Sequence, residues 1–455
     1  MGSLNAALWI AAHALDVDQG ALNVTANNIA NASTPGYSRE VVDLTTQTPS
    51  MIGNLTFGTG VSLEKIQSIR DQMLSMQIAE QSTHQSGAQT QLNALQQVQG
   101  LFSDPSQGIG ANLTAFFNSI SQLSTNPTST APRQAVITAA QNLVSSFNQT
   151  AKSLTQIQSN LNQSVSQSVD QINSLTRQIA QLNDQVGQMQ QLGKDPGSFL
   201  DKENQLINQL SQLTNVSEIR TEHGLTLTTG NGTALVVGNQ SFDLSVGNGT
   251  NGMQDVFAQG QDITATIHGG SLGGSIQVRD QNIPGILNQL NTLASDFATS
   301  MNTAQGLGFD LNGNPGQALF AFNSGGPAAS LALATTDPNA IAASSDGTPG
   351  SNGNIANLMA VESQPLPSGQ TPIESYANIV SNSGNLAAQA QVEVQASTAS
   401  LNQLNDQLGA IAGVSINEET ANLLNYQNAF TAAAKVFTTI DQLTQTVLNM
   451  GAGIP

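Results

Sequence analysis

The feature that most constrains this chain is a stretch of helical spacing that no proline interrupts between Pro132 and Pro196. Its apolar seam runs through Val136, Leu143, Phe147, Leu154, Leu161, Val165, Ile172, Leu175, Ile179, Leu182, Val186 and Met189. Pro132 stands where a first-turn proline is tolerated, with Ser129 or Thr130 as cap. A helix of about 60 residues is about 90 Å long, so it cannot bury itself in a globule and needs antiparallel neighbours. The candidates are 64–100 (Ile66, Ile69, Met73, Met76, Leu92, Leu95, Val98), expected to break or loosen near Gly87, then 111–124 and 199–213.

From about 216 the period changes. Leu225, Leu227, Leu235, Val237, Phe242, Leu244 and Val246 alternate with polar residues, and Asn231-Gly232 and Gly238-Asn239 are turn signals. The pattern reads as an antiparallel β region, with 263–268 and 275–279 as further strands. Helix returns over 283–303 and again from Ile373, with a Gly-, Ala-, Ser-, Pro- and Asn-rich stretch at 306–370 between them.

Both ends of the chain carry apolar seams. Leu8, Leu15, Leu22 and Ile29 fall seven apart, and Phe430, Ala433, Phe437, Ile440, Thr444 and Val447 alternate three and four apart. Ala429, Val436, Leu443 and Met450 form a second row beside the latter, and Leu401, Leu404, Leu408 and Ile411 extend the pattern upstream to a break at Gly413. Each seam is also compatible with an ordinary amphipathic helix lying on its own core. Flanking residues are Asn, Gln, Thr and Ala, so shape rather than ion pairing must select the partner.

The fold class that follows is α+β multidomain: a long antiparallel helical bundle or coiled coil formed by both ends, with a mostly β outer domain inserted. The 455 residues divide into three units. A terminal-helix inner domain with its connector takes 1–63 and 412–455. A rod-like helical domain takes 64–215, 283–303 and 371–411. The outer β domain takes 216–282 and 304–370.

Composition removes several functions. Eleven basic against thirty acidic residues give a net charge of −19, and only Lys435 is basic after Arg279. No basic face exists for nucleic acid or an acidic membrane. Cysteine is absent, which excludes disulfides, thiolate catalysis and Cys-based zinc. No apolar run is long enough to span a bilayer. The N-terminus has no Lys or Arg before Arg39, so it lacks the basic start of a secretory signal, and work outside the cell would need another exit.

No catalytic or metal constellation is visible, and neither an enzyme nor a cofactor is expected. His13, His84, His223 and His268 are scattered, and no GxSxG, P-loop or GxGxxG motif occurs. Asp310-Leu-Asn312-Gly-Asn314 opens like an EF-hand loop, but Pro315 and Ala321 occupy positions that need Gly and Glu, so an Asx-rich turn is expected. Glu418 and Glu419 precede the last helix and suit its N-terminal dipole.

Particular words in the sequence go further. ALNVTANNIANASTPGYSRE (21–40) and AGVSINEETANLLNYQNAFTAAAKVFTTIDQLTQTVLNM (412–450) resemble the two terminal signatures of bacterial flagellar axial proteins. Within that group, APRQAVI (131–137), VDQINSLTRQIAQLNDQV (169–186), FLDKENQLINQLSQL (199–213), GSLGGSIQVRD (270–280) and FATSMNTAQGLGFDLNGNPG (297–316) are similar to the hook-associated protein 1 family. Gln305 stands where many members have His, and 320–370 is shorter than in larger members.

The resemblance implies a structural subunit joining hook to filament, exported by the flagellar type III route to the cell exterior. Its implied partners are further copies in a ring or helical layer, hook protein, hook-associated protein 3, and a cytoplasmic chaperone on the C-terminal helix. The expected assembly residues are Leu8, Leu15, Leu22, Ile29, Phe430, Phe437, Ile440 and Val447. Asn27, Asn28, Asn31, Pro35, Gly36 and Tyr37 are expected to set the angle of the connector. The terminal helices are expected to order only when packed on neighbours. A hook or distal-rod protein would instead show strands soon after the T-P-G-Y segment, and a stalked adhesin or carbohydrate-active module would not need seams at both ends.

Overall fold

The computed structural model describes residues 2–52, 55–103, 108–221, 224–249 and 252–452; His223 lies outside them. Helix α1 (Gly2–Asn31) is followed by four strands, β1 (Glu40–Thr46), β2 (Ser50–Ile52), β3 (Leu55–Phe57) and β4 (Val61–Ser68). β1 pairs antiparallel with β4, Glu40 opposite Ser68, and β2 pairs with β3. These strands begin four residues after Gly36, so early strands do not separate this chain from hook and distal-rod proteins as expected. The cause is local: Val41, Val42, Val61, Leu63 and Ile66 are β-branched or apolar residues that suit paired strands, and α1 packs on both β1 and β4.

The rod consists of α2 (Gln72–Gly100), α3 (Ile109–Leu123), α4 (Thr130–Gln191) and α5 (Gly197–Leu213), joined later by the return helices. α4 has 62 residues and is therefore about 93 Å long. Ser129 is its N-cap residue, without a side-chain capping bond.

The β region packs on the second half of α4. Strands β5 (Val216–Thr221), β6 (Gly224–Thr229), β7 (Ala234–Val237) and β8 (Gln240–Ser241) form one antiparallel sheet in sequence order. β9 (Leu244–Asn248), β10 (Gln254–Ala258) and β11 (Gln261–Asp262) form another, with β10 in the middle. Leu225, Leu227, Leu235, Val236, Leu244 and Val256 close a core with Val165, Val169, Ile172 and Ile179 of α4. Asn173 and Asn183 of α4 stitch the sheets to the helix, each bonded to the backbone N–H and C=O of one residue, Leu244 and Leu225.

Two expected strands are absent here. Residues 264–266 form a 3-10 turn, and α6 (Gly270–Gln277) runs through a π turn at Val278–Asn282 into α7 (Ile283–Gly306). Leu272 and Ile276 are both buried, four apart on one helical face, so the apolar period at this point is that of a helix. Gly87 does not interrupt α2 either. A Cβ on Gly274 would lie 2.5 Å from the Gly87 carbonyl oxygen, so these glycines permit α2 and α6 to cross backbone to backbone.

The segment grouped with the strands at 304–370 joins the helical core instead. It contains β12 (Phe320–Ala321), the short α8 (Pro327–Ser330), β13 (Ala332–Leu333) and α9 (Ile355–Ser363). Leu319, Phe320, Leu331, Ile341, Ile355 and Leu358 pack with α3, α4 and α7. Polar anchors hold it there: buried Arg133 donates to the carbonyls of Pro127 and Ile341, and Asn354 donates to those of Ala304 and Ala342. α10 (Pro372–Ala412) starts in a Thr371/Glu374 capping box and packs on α2, and α11 (Ile416–Ala452) returns to α1.

Candidate assembly interface and connector

α1 and α11 lie antiparallel, since Asn28 near the end of one bonds Glu419 at the start of the other. The buried row of α1 is Ala11, Val17, Ala21, Val24, Thr25 and Asn28. Leu8, Leu15, Leu22 and Ile29 are only half-buried and flank that row. Small residues form the buried row because α1 is covered twice, by α11 and by the β1–β4 hairpin. At Gly20 a Cβ would stand 2.8 Å from Leu63 Cδ1.

Along α11, Phe430, Ala433, Phe437, Ile440 and Thr444 are half-buried. The second row, about a quarter-turn away, is bare: Val436 is 51% exposed, Leu443 50% and Met450 65%, and Val447 joins it at 37%. Trp9 of α1 is 66% exposed. Thus the expected interface residues other than Val447 sit within or beside the intramolecular pairing, and the row free to meet a neighbour is the second one. Both terminal helices are continuous in the structure, each covering apolar surface of the other.

The connector is a hydrogen-bond hub around Asn28, which is 1% exposed. Its Oδ1 accepts from Tyr37 Oη at 2.8 Å and from the Glu40 N–H at 2.9 Å. Its Nδ2 donates to the Glu40 carbonyl at 2.8 Å and to Glu419 Oε2 at 3.1 Å. All of the amide's capacity is used, which a buried Asn requires. Asn27 donates to Tyr37 Oη and to Glu40, and Asn31 donates back to Asn27. Pro35 and Gly36 make the turn; Gly36 has φ +79°, a conformation that favours glycine. Burial, then the negative charges of Glu40, Asp201 and Glu419, push the Tyr37 hydroxyl pKa up, so it stays a donor.

Arg39 completes the hub, donating from Nε to Glu419 at 2.8 Å and from Nη1 to Glu418 at 3.1 Å. The two glutamates therefore act as ion-pair partners of Arg39 and not only as dipole complements. Sequence reading missed Arg39, and also Ser38, Arg70 and Asp201 beside it. A usable signal was the scarcity of cations: with 11 in 455 residues, the first cation of the chain, next to the Tyr37 motif, was a candidate partner for the only adjacent acidic pair.

α5 carries one buried carboxylate that no sequence pattern marked. Glu203 has no exposed side-chain surface and lies 2.7 Å from Arg220 Nη1 of β5, yet neither oxygen is in hydrogen-bond geometry. Burial raises its pKa against the opposing pull of Arg220. The folded chain thus holds this proton more tightly than the unfolded one. No charge is buried while the group is protonated, so the cost of burying the charge appears only as pH rises past the ordinary range. Glu203→Gln should therefore gain stability relative to the parent as pH rises from about 4 to about 7 in urea unfolding; a variant that loses stability relative to the parent over that interval contradicts it.

Among the described residues no three metal-ligating side chains converge. Asp310 Oδ1 accepts the N–H groups of Asn312 and Asn314, both at 2.8 Å, which is the expected Asx turn. No helix is long and apolar enough to cross a membrane among these residues.

Comparison with known proteins gives this geometry its context. The description "Flagellar hook-associated protein FlgK helical domain" matches residues 95–320. "Flagella basal body rod protein" matches 8–37, and "Flagellar basal body rod FlgEFG protein C-terminal" matches 410–450. Flagellar hook-associated protein 1 of Bacillus subtilis is 28% identical over 98% of both chains. That of Escherichia coli is 26% identical over 96% of this chain and 98% of its own. The chain belongs to the flagellar hook-associated protein 1 family.

It is accordingly a structural protein of the flagellum, of the hook-associated class. The flagellar hook junction protein FlgK from Burkholderia pseudomallei shares the fold, with TM-score 0.68 over 74% of this chain and all of that one, at 19% identity. The family's rod-protein signatures fall on α1 and on α11 with its entry, the elements that the Asn28–Arg39–Glu419 hub ties together.

Proposed function

We propose that this protein is a non-enzymatic adaptor at the hook–filament junction, built into the axial tube through its paired terminal helices. The observation that carries this reading is the bare second row of α11, Val436, Leu443, Val447 and Met450, on a helix whose first row already faces α1. Such a row is unfavourable in water and is covered when a neighbouring subunit packs on it. One face of each copy meeting a different face of the next does not close by point symmetry, and so builds a tube.

In this reading hook subunits lie on one side and hook-associated protein 3 on the other, and the terminal unit of 1–63 with 412–455 faces the axis. The helical rod and the β region stand outward. Export is through the flagellar type III apparatus to the cell exterior, with a cytoplasmic chaperone shielding α11 beforehand. Neither cofactor nor nucleic acid takes part.

Removal of residues 423–455 tests the reading. Loss of chaperone co-purification and of incorporation into hook-basal bodies is expected, while the rod's helical circular dichroism persists. Incorporation of the truncated chain at the full-length level rejects it. Polysaccharide turnover by the truncated chain would favour a stalked enzyme.

A further inference from the structure

The hub around Asn28 links α1, β1 and α11 to one another, so its side chains cannot hold the terminal unit against the rod. That boundary is bridged elsewhere. Asp201, in the first turns of α5, accepts the N–H of Ser38 at 2.9 Å and its hydroxyl at 2.7 Å. Its Oδ1 also accepts Arg70 Nε at 3.1 Å and Nη2 at 2.8 Å. Ser38 lies before β1 and Arg70 lies after β4, so one carboxylate closes both roots of the hairpin.

The fit around it is close. Asp201 and Arg70 have 13% and 20% of their side chains exposed. Arg70 donates to the Gly197 carbonyl as well, and a Cβ on Gly197 would lie 2.4 Å from Ser68 Oγ. Among the described residues, the side-chain hydrogen bonds that join 1–70 or 413–452 to the rest of the chain all end on Asp201 or Gly197. The backbone adds Arg39 N–H to the Ala412 carbonyl at 2.9 Å. Two residues further along α5, Glu203 lies 2.7 Å from Arg220 of the β region.

We propose that α5 is the strut that sets the angle between the terminal helix pair and the rod, with Asp201 as its positioning residue. This deepens the adaptor reading and rests on it, since the angle matters only if the terminal pair is the unit that packs in the tube. A partly desolvated carboxylate with four charge-assisted or directed bonds holds one geometry, because each bond has its own preferred direction. A backbone bond at Ala412 alone leaves a pivot. The reading moves the angle-setting role from Asn27, Asn28, Asn31 and Tyr37, which organise the terminal unit internally, to Asp201, Ser38 and Arg70.

The chain has no cysteine, so Gln185→Cys and Asn428→Cys, both at exposed sites, place a spin label on α4 and one on α11. The full-length protein with both labels should give one narrow distance distribution. Asp201→Ala should widen it at least twofold, with the melting temperature of the rod unchanged. Ser38→Ala and Arg70→Gln should each widen it by a smaller factor. An unaltered width in Asp201→Ala overturns the proposal; should that variant not fold, unaltered widths in both Ser38→Ala and Arg70→Gln overturn it. Failure of the adaptor reading shows separately, as incorporation of the 423–455 deletion, and leaves these widths untouched.

Discussion

Phe297→Ala should lower the unfolding free energy of the helical rod by about 4 kcal/mol in urea titration, the range for a large aromatic truncated in a closed core. Phe297 is 0% exposed and stands at the centre of a four-ring cluster. Its centroid lies 5.3 Å from Phe320, 5.8 Å from Phe116 and 6.2 Å from Phe117, all edge-on. The rings come from α3, α7 and the 304–370 segment, and α4 and α9 close the same core through Phe147, Leu154 and Leu358. Deleting the ring leaves a cavity bounded by several elements, none of which can move inward alone. It also removes three edge-to-face contacts worth about 0.5–1.5 kcal/mol each. Phe297→Leu, which refills most of the volume, should cost less than half as much. An equal loss in both variants would show that the ring contacts, and not the void, dominate.

Replacing Leu443 and Val447 together by Asp should abolish incorporation into the flagellum and leave the free subunit's melting curve nearly unchanged. Both side chains are at least 37% exposed in the single chain, so their carboxylates stay hydrated there. In a packed tube each would be buried without a partner, and a desolvation cost of about 2 kcal/mol per site lowers occupancy about a thousandfold. The matched control is Asp substitution at Gln442 and Gln445, which lie off the bare row and are exposed. That control should incorporate normally. Normal incorporation of the Leu443/Val447 variant would mean that the bare row meets no neighbour.

The long helices were legible because their evidence is local. α4 spans Thr130–Gln191 where the spacing from Pro132 to Met189 placed it, α5 and α7 lie where theirs did, and α10 ends at Ala412 before Gly413. A seam of three-and-four spacing without proline admits almost no other backbone. Strands β5 to β9 were legible for the same reason, through period two and glycine turns. Reading failed where local pattern served a distant partner. Gly87 looked like a break and is a crossing point for α6. Residues 263–268 and 275–279 looked like strands; the first holds a 3-10 turn, and the second continues a helix on which Leu272 and Ile276 are buried four apart.

For the candidate site, the sequence by itself determined that both ends are helical with an apolar seam, that the C-terminal one carries a second row beside it, and that Asn28, Gly36 and Tyr37 mark the exit. It also settled the absence of thiol chemistry and of a basic surface. Which row faces inward was decided only by tertiary structure. The β1–β4 hairpin occupies one side of α1, so the small-residue row was buried and the leucines moved to its flanks. The same holds for Arg39 with Glu419 and for Ser38 with Asp201, partners separated by 380 and 163 residues. Periodicity reports on forces along one helix, whereas such pairs depend on where the chain returns, and that is set by the packing of all elements at once.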